Sequence, residues 1–248
     1  DMKKRSSRKR RVIIACILLA LPWLVTRNLF SDYQAAPHND DWLYGRSVQV
    51  LADEGYYQHV SQHGELAASV VSHVLWGRLF VWNEFSFESL HLSQAVAGWL
   101  TCVSVLLVVL SLGGNLQTAL MAAISLLITP IFFGHTFTFM TDVTALMLIT
   151  WALLCFLKSN NLSRVGPLAL GSLLTALVFW CRQTHVLIVL VPLYVLFRNR
   201  VSFSGKQSLL RLAILGGIPG LSLVIFELAG LVPGNQSRTG TLFIKTFD

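Results

Sequence analysis

Charged residues are scarce in this sequence, and acidic residues are the scarcer kind. Of its 248 residues only 12% are charged while 54% are hydrophobic, whereas a soluble domain carries about 25% charged residues. So much apolar surface exceeds what one soluble core of this length buries. This excludes an ordinary soluble enzyme and makes the lipid bilayer the expected solvent for much of the chain.

Cysteines are also few, and their positions exclude a disulfide framework and a zinc site. They stand at Cys16, Cys102, Cys155 and Cys181, far apart and mostly inside apolar runs. Zinc ligand sets and disulfide scaffolds need closer, patterned spacing, so the four are interpreted as small buried apolar side chains. No cofactor is expected. A divalent metal ion is compatible with the sequence, but no motif indicates one.

What the sequence has in excess is positive charge, with a formal net charge of +7. Much of it lies in the tail 1–11, directly before an apolar run that begins at Val12. A basic cluster beside an apolar run is typical of a cytoplasmic segment facing anionic lipid, so nucleic acid is excluded as a partner. The run has no small-residue cleavage pattern before Asp32 and is interpreted as a retained helix.

Seven apolar segments define the expected topology. They lie at 12–30, 92–112, 116–133, 140–157, 166–181, 184–197 and 209–232. With the N-terminus in the cytoplasm, most of the 19 Lys and Arg residues fall on the cytoplasmic side, as the positive-inside rule expects. The sequence therefore predicts an all-α multi-pass membrane protein. Its transmembrane module covers 12–232 and is followed by an outer segment, 233–248.

The segment 31–91 between the first two spans is predicted to lie outside and to be functional, because ~60 residues exceed a simple connection. Two interfacial helices are expected in it, at about 41–54 and 66–82. A rival interpretation makes 66–82 an extra span. That arrangement would put the later basic clusters outside and would bury His73 and Arg78 in lipid, so we prefer an interfacial helix.

Two adjacent carboxylates, Asp40 and Asp41, open this outer segment. Adjacent carboxylates repel each other, so one of them takes up a proton more readily, which suits a general base. The alternative is that one of these residues caps the helix that follows. Both roles are compatible if Asn39 or Asp40 caps the helix while Asp41 catalyses.

Two further polar positions are predicted on the same membrane face. Asp142 stands at the start of the fourth span, where capping that helix is the alternative role. Arg182 lies in a short turn at lipid-headgroup depth. Arginine is well suited to holding phosphate oxygens, and the alternative is that it reaches for lipid headgroups. Carboxylates together with an arginine at this depth indicate a phosphorylated lipid and a hydroxyl that loses a proton.

Four stretches carry a family resemblance, which covers about 12–200. They are NDDWLYGRSVQVLADEG (39–55), WGRLFVWNEFSFESLHLS (76–93), FTFMTDVTALMLI (137–149) and CRQTH (181–185). In this order they resemble the bacterial polyprenyl-phosphate-sugar-dependent glycosyltransferases, relatives of protein O-mannosyltransferases and of the lipid A aminoarabinose transferase. The sequence departs from the family at His91, where Arg is expected, and at Thr144, where Pro is common. Neither is interpreted as a catalytic position.

The resemblance implies the GT-C fold, a module of seven transmembrane helices with a large first outer loop. It also implies an inverting displacement in the cell (inner) membrane, with the active site on the outer face. Asp40 or Asp41 would deprotonate an acceptor hydroxyl, Asp142 would orient the acceptor or assist the base, and Arg182 would hold the leaving polyprenyl phosphate. Added hydrogen bonds to the donor are expected from Gln183 and His185. Further substrate contacts are expected from Tyr44, Arg46 and His135.

The expected partners are a polyprenyl-phosphate sugar, an acceptor glycan, lipid or protein, and membrane lipids. Members of the family usually continue with more helices and often an outer domain, so the chain is expected to be a fragment or a reduced member. Two alternative functions remain open on the sequence. One is a non-catalytic polyprenyl-lipid binder or transporter, and the other is a structural membrane subunit.

Overall fold

All the regular secondary structure that the computed structural model describes is helical. It describes residues 2–29, 36–38, 41–57, 70–198 and 205–228, and no strand occurs among them. The expected outer segment 233–248 and the candidate Asp40 lie outside the described residues. The helices are α1 (Met2–Leu18), α2 (Leu21–Leu29), α3 (Asp41–Glu54), α4 (Val71–Arg78), α5 (Phe87–Ser111), α6 (Leu116–Leu127), α7 (Pro130–His135), α8 (Thr141–Lys158), α9 (Val165–Phe179), a 3₁₀ helix (Gln183–Val189), α10 (Leu190–Arg198) and α11 (Gly205–Leu228).

Four stretches of helix are long and apolar enough to cross a membrane: Lys9–Leu29, Phe87–Ser111, Thr141–Lys158 and Gly205–Ile225. Three shorter apolar helices accompany them: Leu116–Leu127, Val165–Phe179 and Leu187–Arg198. Each of the seven apolar segments predicted from the sequence therefore overlaps one or two helices within the described residues. The all-helical, membrane-embedded character is confirmed, and four of the seven segments have the length of a full crossing.

The third apolar segment, 116–133, is broken where the sequence analysis expected one helix. Helix α6 ends at Leu127, and α7 begins at Pro130 after Thr129 adopts an extended conformation with ψ of 116°. Proline has no N–H to donate and disfavours helical geometry in the residue before it, so it starts the new helix at its first position. Pro130 was therefore the signal in the sequence for this break.

Helix α4 occupies the second position expected in the 31–91 segment, but it is short. It has 8 residues, which gives a length of about 12 Å at 1.5 Å per residue, and a bilayer core is about 30 Å thick. Its Ser72 N–H donates to the Trp180 carbonyl at 3.2 Å, and the Trp76 indole donates to the Ser93 carbonyl at 3.1 Å. Within 70–82, the chain forms a short helix held against its neighbours and not an extra crossing.

Helices α5 and α8 form the centre of the bundle and run parallel. The Ser104 hydroxyl donates to Thr150 at 2.5 Å, and the Trp151 indole donates to the Leu100 carbonyl at 3.2 Å. Such bonds stabilise the packing of neighbouring apolar helices, because in lipid the burial of apolar surface alone favours helix contact over lipid contact only weakly. Helix α9 packs on α8 through Gly171, where an added Cβ would lie 2.6 Å from the Phe156 ring.

Contacts between the helices define two ends of the bundle. At one end, here called the Arg182 end, the Arg27 guanidinium pairs with Glu88 at 2.5 Å and the Trp180 indole donates to the Ser222 carbonyl at 3.4 Å. At the other, the Arg211 end, buried Arg211 donates from Nε to the Leu162 carbonyl at 2.8 Å. The N-terminal turns of α5 and α8 both lie at the Arg182 end, as the parallel pairing of these helices requires.

Candidate functional site

Asp41 is the first residue of α3 and its side chain is completely buried, with 0% relative exposure. Its Oδ2 accepts hydrogen bonds from the backbone N–H of His38 at 3.0 Å and from Nε2 of His91 at 2.8 Å. Its Oδ1 is also buried and has no hydrogen-bond partner in the described structure. Both donors therefore act on one oxygen of the carboxylate, and the other oxygen is left over.

His91 comes from the second turn of α5 and is 1% exposed. The ring of His38 stacks on it, with centroids 5.8 Å apart and planes 16° apart, and Phe87 lies on another side at 6.4 Å. The sequence analysis set His91 aside as a departure from the family pattern. The structure instead places it in direct contact with a candidate catalytic carboxylate, while the alternative base, Asp40, lies outside the described residues.

Arg182 and Asp142 form a second cluster at the same end of the bundle. Nη1 of Arg182 lies 3.0 Å from Oδ1 of Asp142, and Nη2 donates to Oδ2 at 3.3 Å. The Nε–H donates to the Thr141 hydroxyl at 3.0 Å. Bidentate pairing fixes the plane of the guanidinium, and both side chains remain 37% exposed. Arg182 is thus an oriented, accessible cation.

Helix capping and contact with lipid headgroups are the alternative roles of Asp142 and Arg182. Helix α8 has Met140 as its N-cap residue and shows no side-chain capping hydrogen bond. Asp142 directs its carboxylate to Arg182, so helix capping does not explain it, although a carboxylate in the first turn remains favourable to the helix dipole. Arg182 is held by protein groups through three of its five N–H donors, so reaching for lipid headgroups does not describe its position.

Two histidines belong to the cluster around Asp142. Nδ1 of His135 lies 3.8 Å from Oδ2 of Asp142. The Nδ1 of His185 lies 3.0 Å from the Thr184 hydroxyl. The side chain of Gln183, named with it from the sequence, lies outside the described residues.

Tyr44 and Arg46 lie in different surroundings, although both belong to the first two turns of α3. The buried Tyr44 ring meets the His73 ring edge-on, with centroids 5.6 Å apart. Arg46 is exposed and donates to the side chain of Gln49 at 2.8 Å. Tyr44 is therefore packed in the interior beside His73, whereas Arg46 lies on the exposed face of the helix.

A buried polar chain that the sequence analysis missed lies between the clusters. Gln94 donates to the Thr144 hydroxyl at 3.1 Å, and that hydroxyl lies 3.0 Å from Nδ1 of His73. The other ring nitrogen of His73 is 3.2 Å from the Phe139 carbonyl. A carbonyl only accepts, so Nε2 carries the proton and Nδ1 accepts from Thr144. The sequence signal was present, because glutamine and threonine stand within otherwise apolar helices.

His73 is neutral in this setting. Burial lowers its pKa to about 3, the hydrogen bond to Phe139 opposes that shift, and the charge of Arg182 adds to it. The Arg182 charge thus acts at His73 on α4 as well as at Asp142 on α8. The buried chain is a structural link between α4, α5 and α8 beside both clusters.

Metal ligation and similarity to known proteins add no further assignment. The described residues contain no group of three or more His, Cys, Asp or Glu side chains placed to hold a metal ion. No protein-family model matches this chain, and neither does any curated protein or solved structure. The residues of the two clusters and the motif resemblance of the sequence are therefore what indicates a function for this chain.

Proposed function

We propose that this chain transfers a sugar from a polyprenyl-phosphate donor to a hydroxyl of a glycan, lipid or protein acceptor. The proposal includes a GT-C architecture with seven crossings and the active site on the outer face of the cell (inner) membrane. The observation that carries it is the fixed guanidinium of Arg182 at the same end of the bundle as the Asp41 carboxylate. A phosphate-binding cation and a proton-accepting carboxylate are what such a transfer needs.

Arg182 suits the leaving phosphate because its guanidinium is held in a fixed orientation and not all of its N–H donors are engaged. Asp142 and Thr141 engage three of its N–H groups, and a guanidinium has five. Each of the two that remain, on a side chain 37% exposed, can donate a hydrogen bond to a phosphate oxygen. Because phosphate charge increases as the sugar–phosphate bond breaks, a fixed cation there stabilises the transition state more than the ground state.

The reaction is a single displacement. The acceptor oxygen forms a bond to the anomeric carbon while the bond from that carbon to the phosphate oxygen breaks. The acceptor proton passes to the carboxylate of Asp41 or, in the alternative assignment, Asp40. Polyprenyl phosphate leaves with the bonding electron pair, and attack opposite to it inverts the anomeric centre. No nucleotide is required, because the donor is activated by its lipid phosphate.

The geometry supports a different role for Asp142 from the one that the resemblance implies. Both of its oxygens engage Arg182, so we assign it to orienting the phosphate-binding guanidinium and not to the acceptor. His185 is the proposed additional hydrogen-bond donor to the phosphate, together with Gln183. His135, at the edge of the ion pair, and Tyr44 are the remaining proposed contacts, whereas exposed Arg46 has no contact that favours such a role.

The distribution of charge supports the proposed orientation in the membrane. The described basic residues at the Arg211 end are Lys9, Arg10, Arg11, Lys158, Arg164, Arg198, Lys206 and Arg211. The described acidic side chains instead lie at the Arg182 end or on the segment α3–α4 that returns to it: Asp41, Asp53, Glu54, Glu84, Glu88 and Asp142. By the positive-inside rule, this distribution favours a cytoplasmic Arg211 end and an outer Arg182 end.

The test is sugar transfer in vesicles reconstituted with a polyprenyl-phosphate sugar, comparing wild type with Asp40→Asn and Asp41→Asn. Asp53→Asn is the matched control, because Asp53 is exposed on the same helix and belongs to neither cluster. We expect one of the first two substitutions to lower turnover by at least about a hundredfold, since a general base contributes 10²–10⁴. The product should carry the inverted anomeric configuration by NMR.

The same experiment separates the alternatives. Donor that binds but is never consumed, with all three variants alike, would replace the transferase by a polyprenyl-lipid binder or transporter. Absence of donor binding, measured by competition with a fluorescent polyprenyl phosphate, would leave a structural membrane subunit. Retention of configuration in the product would contradict the single displacement even if transfer occurs.

A further inference from the structure

We propose that His91 is a positioning residue for the transfer, acting through Asp41. The inference rests on the proposed function and deepens it by stating which oxygen of the base meets the acceptor. His91 and the His38 backbone hold Oδ2 of Asp41, and Oδ1 is the atom that receives the acceptor proton.

The two hydrogen bonds fix the carboxylate in rotation as well as in position. One comes from the chain just before α3, and the other from α5, 50 residues further along the sequence. Two donors converging on one oxygen leave the plane of the carboxylate little freedom, and the stacked ring of His38 and the nearby Phe87 confine the imidazole. Such confinement of a reacting group is what orientation in catalysis requires.

The unpaired oxygen is the observation that points to a ligand. Buried polar atoms are almost always hydrogen-bonded, and a buried carboxylate oxygen without a donor is costly. Ser72 and Ser222 also have buried oxygens without a partner in the described structure, but a neutral hydroxyl loses less than a carboxylate does. Oδ1 of Asp41 therefore lacks a hydrogen-bond donor, and a hydroxyl group of the acceptor supplies one.

His91 is suited to this task because its ring presents one N–H to the carboxylate. Nε2 lies 2.8 Å from Oδ2, whereas a bidentate donor such as an arginine fork would occupy both oxygens. The departure at position 91, where the family resemblance expects arginine, thus coincides with a carboxylate that has one buried oxygen without a donor in the described structure. A glutamine at this position places its amide N–H near that of Nε2, and a leucine fills similar space without a donor.

The experiment compares wild type, His91→Gln and His91→Leu in the reconstituted transfer assay. Thr101→Val is the matched control, because Thr101 is a buried polar residue of α5 whose hydroxyl bonds to its own helix at Ala97. We expect His91→Leu to lower kcat about tenfold or more, as loss of a hydrogen bond to a charged group predicts. His91→Gln should recover most of kcat, and KM for the donor should stay within about twofold in all three.

A second measurement does not depend on turnover. Dicyclohexylcarbodiimide modifies protonated carboxyl groups in apolar surroundings, and mass spectrometry reads the labelled Asp41 peptide. Because the Nε2–H of His91 occupies Oδ2 of Asp41, His91→Leu leaves both oxygens without that donor and should increase labelling of Asp41 several-fold, while His91→Gln and Thr101→Val should match wild type. Equal labelling in all four proteins would overturn the proposed contact, whether or not the chain is a transferase.

Failure of the proposal and failure of the transferase assignment are thus distinguishable. If wild type transfers sugar and His91→Leu keeps full kcat, His91 has no positioning role although the function stands. If Asp40→Asn abolishes transfer and Asp41→Asn does not, the base is Asp40, which also overturns the role given to His91. If no protein consumes donor but labelling follows the expected order, the His91 contact is real and the transferase assignment is wrong.

Discussion

Asp41 and Asp142 invite comparison, because each lies in the first turn of a helix and each pairs with a basic side chain from a distant part of the sequence. Asp41 is 0% exposed and meets His91 through one oxygen. Asp142 is 37% exposed and meets Arg182 through both oxygens. The same residue type is therefore held in two ways at one end of the bundle.

The difference in burial between the two pairs follows from their proposed roles, since one accepts a proton and the other binds an anion. A buried, singly engaged carboxylate keeps its orientation and one oxygen for a proton, in surroundings of low dielectric constant where charge interactions are strong. An accessible, doubly engaged carboxylate fixes the guanidinium while leaving it open to an incoming anion. Burial thus distinguishes the proposed proton acceptor from the proposed phosphate clamp better than residue type does.

Substitution of Arg182 should produce the largest effect. Arg182→Ala removes the fixed cation at the leaving phosphate, so we expect turnover to fall by about 10²–10³, the usual consequence of deleting one electrostatic stabiliser. Arg182→Lys is the matched control, because it keeps the charge but cannot form the bidentate pair, and it should recover only part of the loss. The measurement is initial-rate transfer in vesicles. A fall below tenfold for Arg182→Ala would place the phosphate elsewhere.

Much of the bundle was predictable from the sequence because hydropathy and charge act locally. The start of α3 at Asp41 and the acid at the start of α8 were expected where they are found. Placing Asp142 and Arg182 at one end followed from topology alone, since two successive antiparallel helices, α8 and α9, carry the chain away from that end and back to it. Their direct pairing did not follow, because it depends on how far α8 and α9 are rotated and shifted against each other.

The Asp41–His91 contact illustrates what pattern reasoning misses. The two residues are separated by 50 positions, and the chain between them contains α3 and α4, whose packing decides which turn of α5 faces Asp41. The Gln94–Thr144–His73 chain was not predicted from the sequence for a similar reason, because each residue alone resembles a tolerated polar side chain. Only their mutual contact reveals that each satisfies the hydrogen-bonding needs of the others.

Lowering the pH tests whether the region between the two clusters is as firmly buried as Asp41. The folded-state pKa of His73 is about 3 and the unfolded value about 6.5, so the unfolded chain binds the extra proton between these pH values. Stability is therefore fully present above about pH 6.5 and is lost as the pH falls towards 3. Between pH 7 and pH 5, His73 should cost about 2 kcal/mol.

Thermal unfolding in detergent at the two pH values measures this loss, with His73→Gln as the comparison. Glutamine does not titrate, so the variant should be less stable at pH 7 but should lose less stability on acidification than wild type does. Equal losses of stability in the two proteins would mean that water reaches His73. The contrast between a buried interior and a solvent-accessible Arg182–Asp142 pair would then be weakened.

The smallest effect is expected at Asp142, and salt dependence is its signature. Asp142→Asn keeps the shape but removes the charge that orients Arg182, and because the pair is 37% exposed we expect roughly a fivefold rise in KM for the donor. Raising ionic strength from 0.1 to 1 M shortens the screening length from about 10 Å to about 3 Å, so wild type and Asp142→Asn should converge. The effect of His91→Leu should persist at both ionic strengths, because the Asp41–His91 pair is buried. Equal salt dependence of the two variants would contradict the division of labour between a buried proton acceptor and an accessible phosphate clamp, because screening acts on charges that solvent reaches.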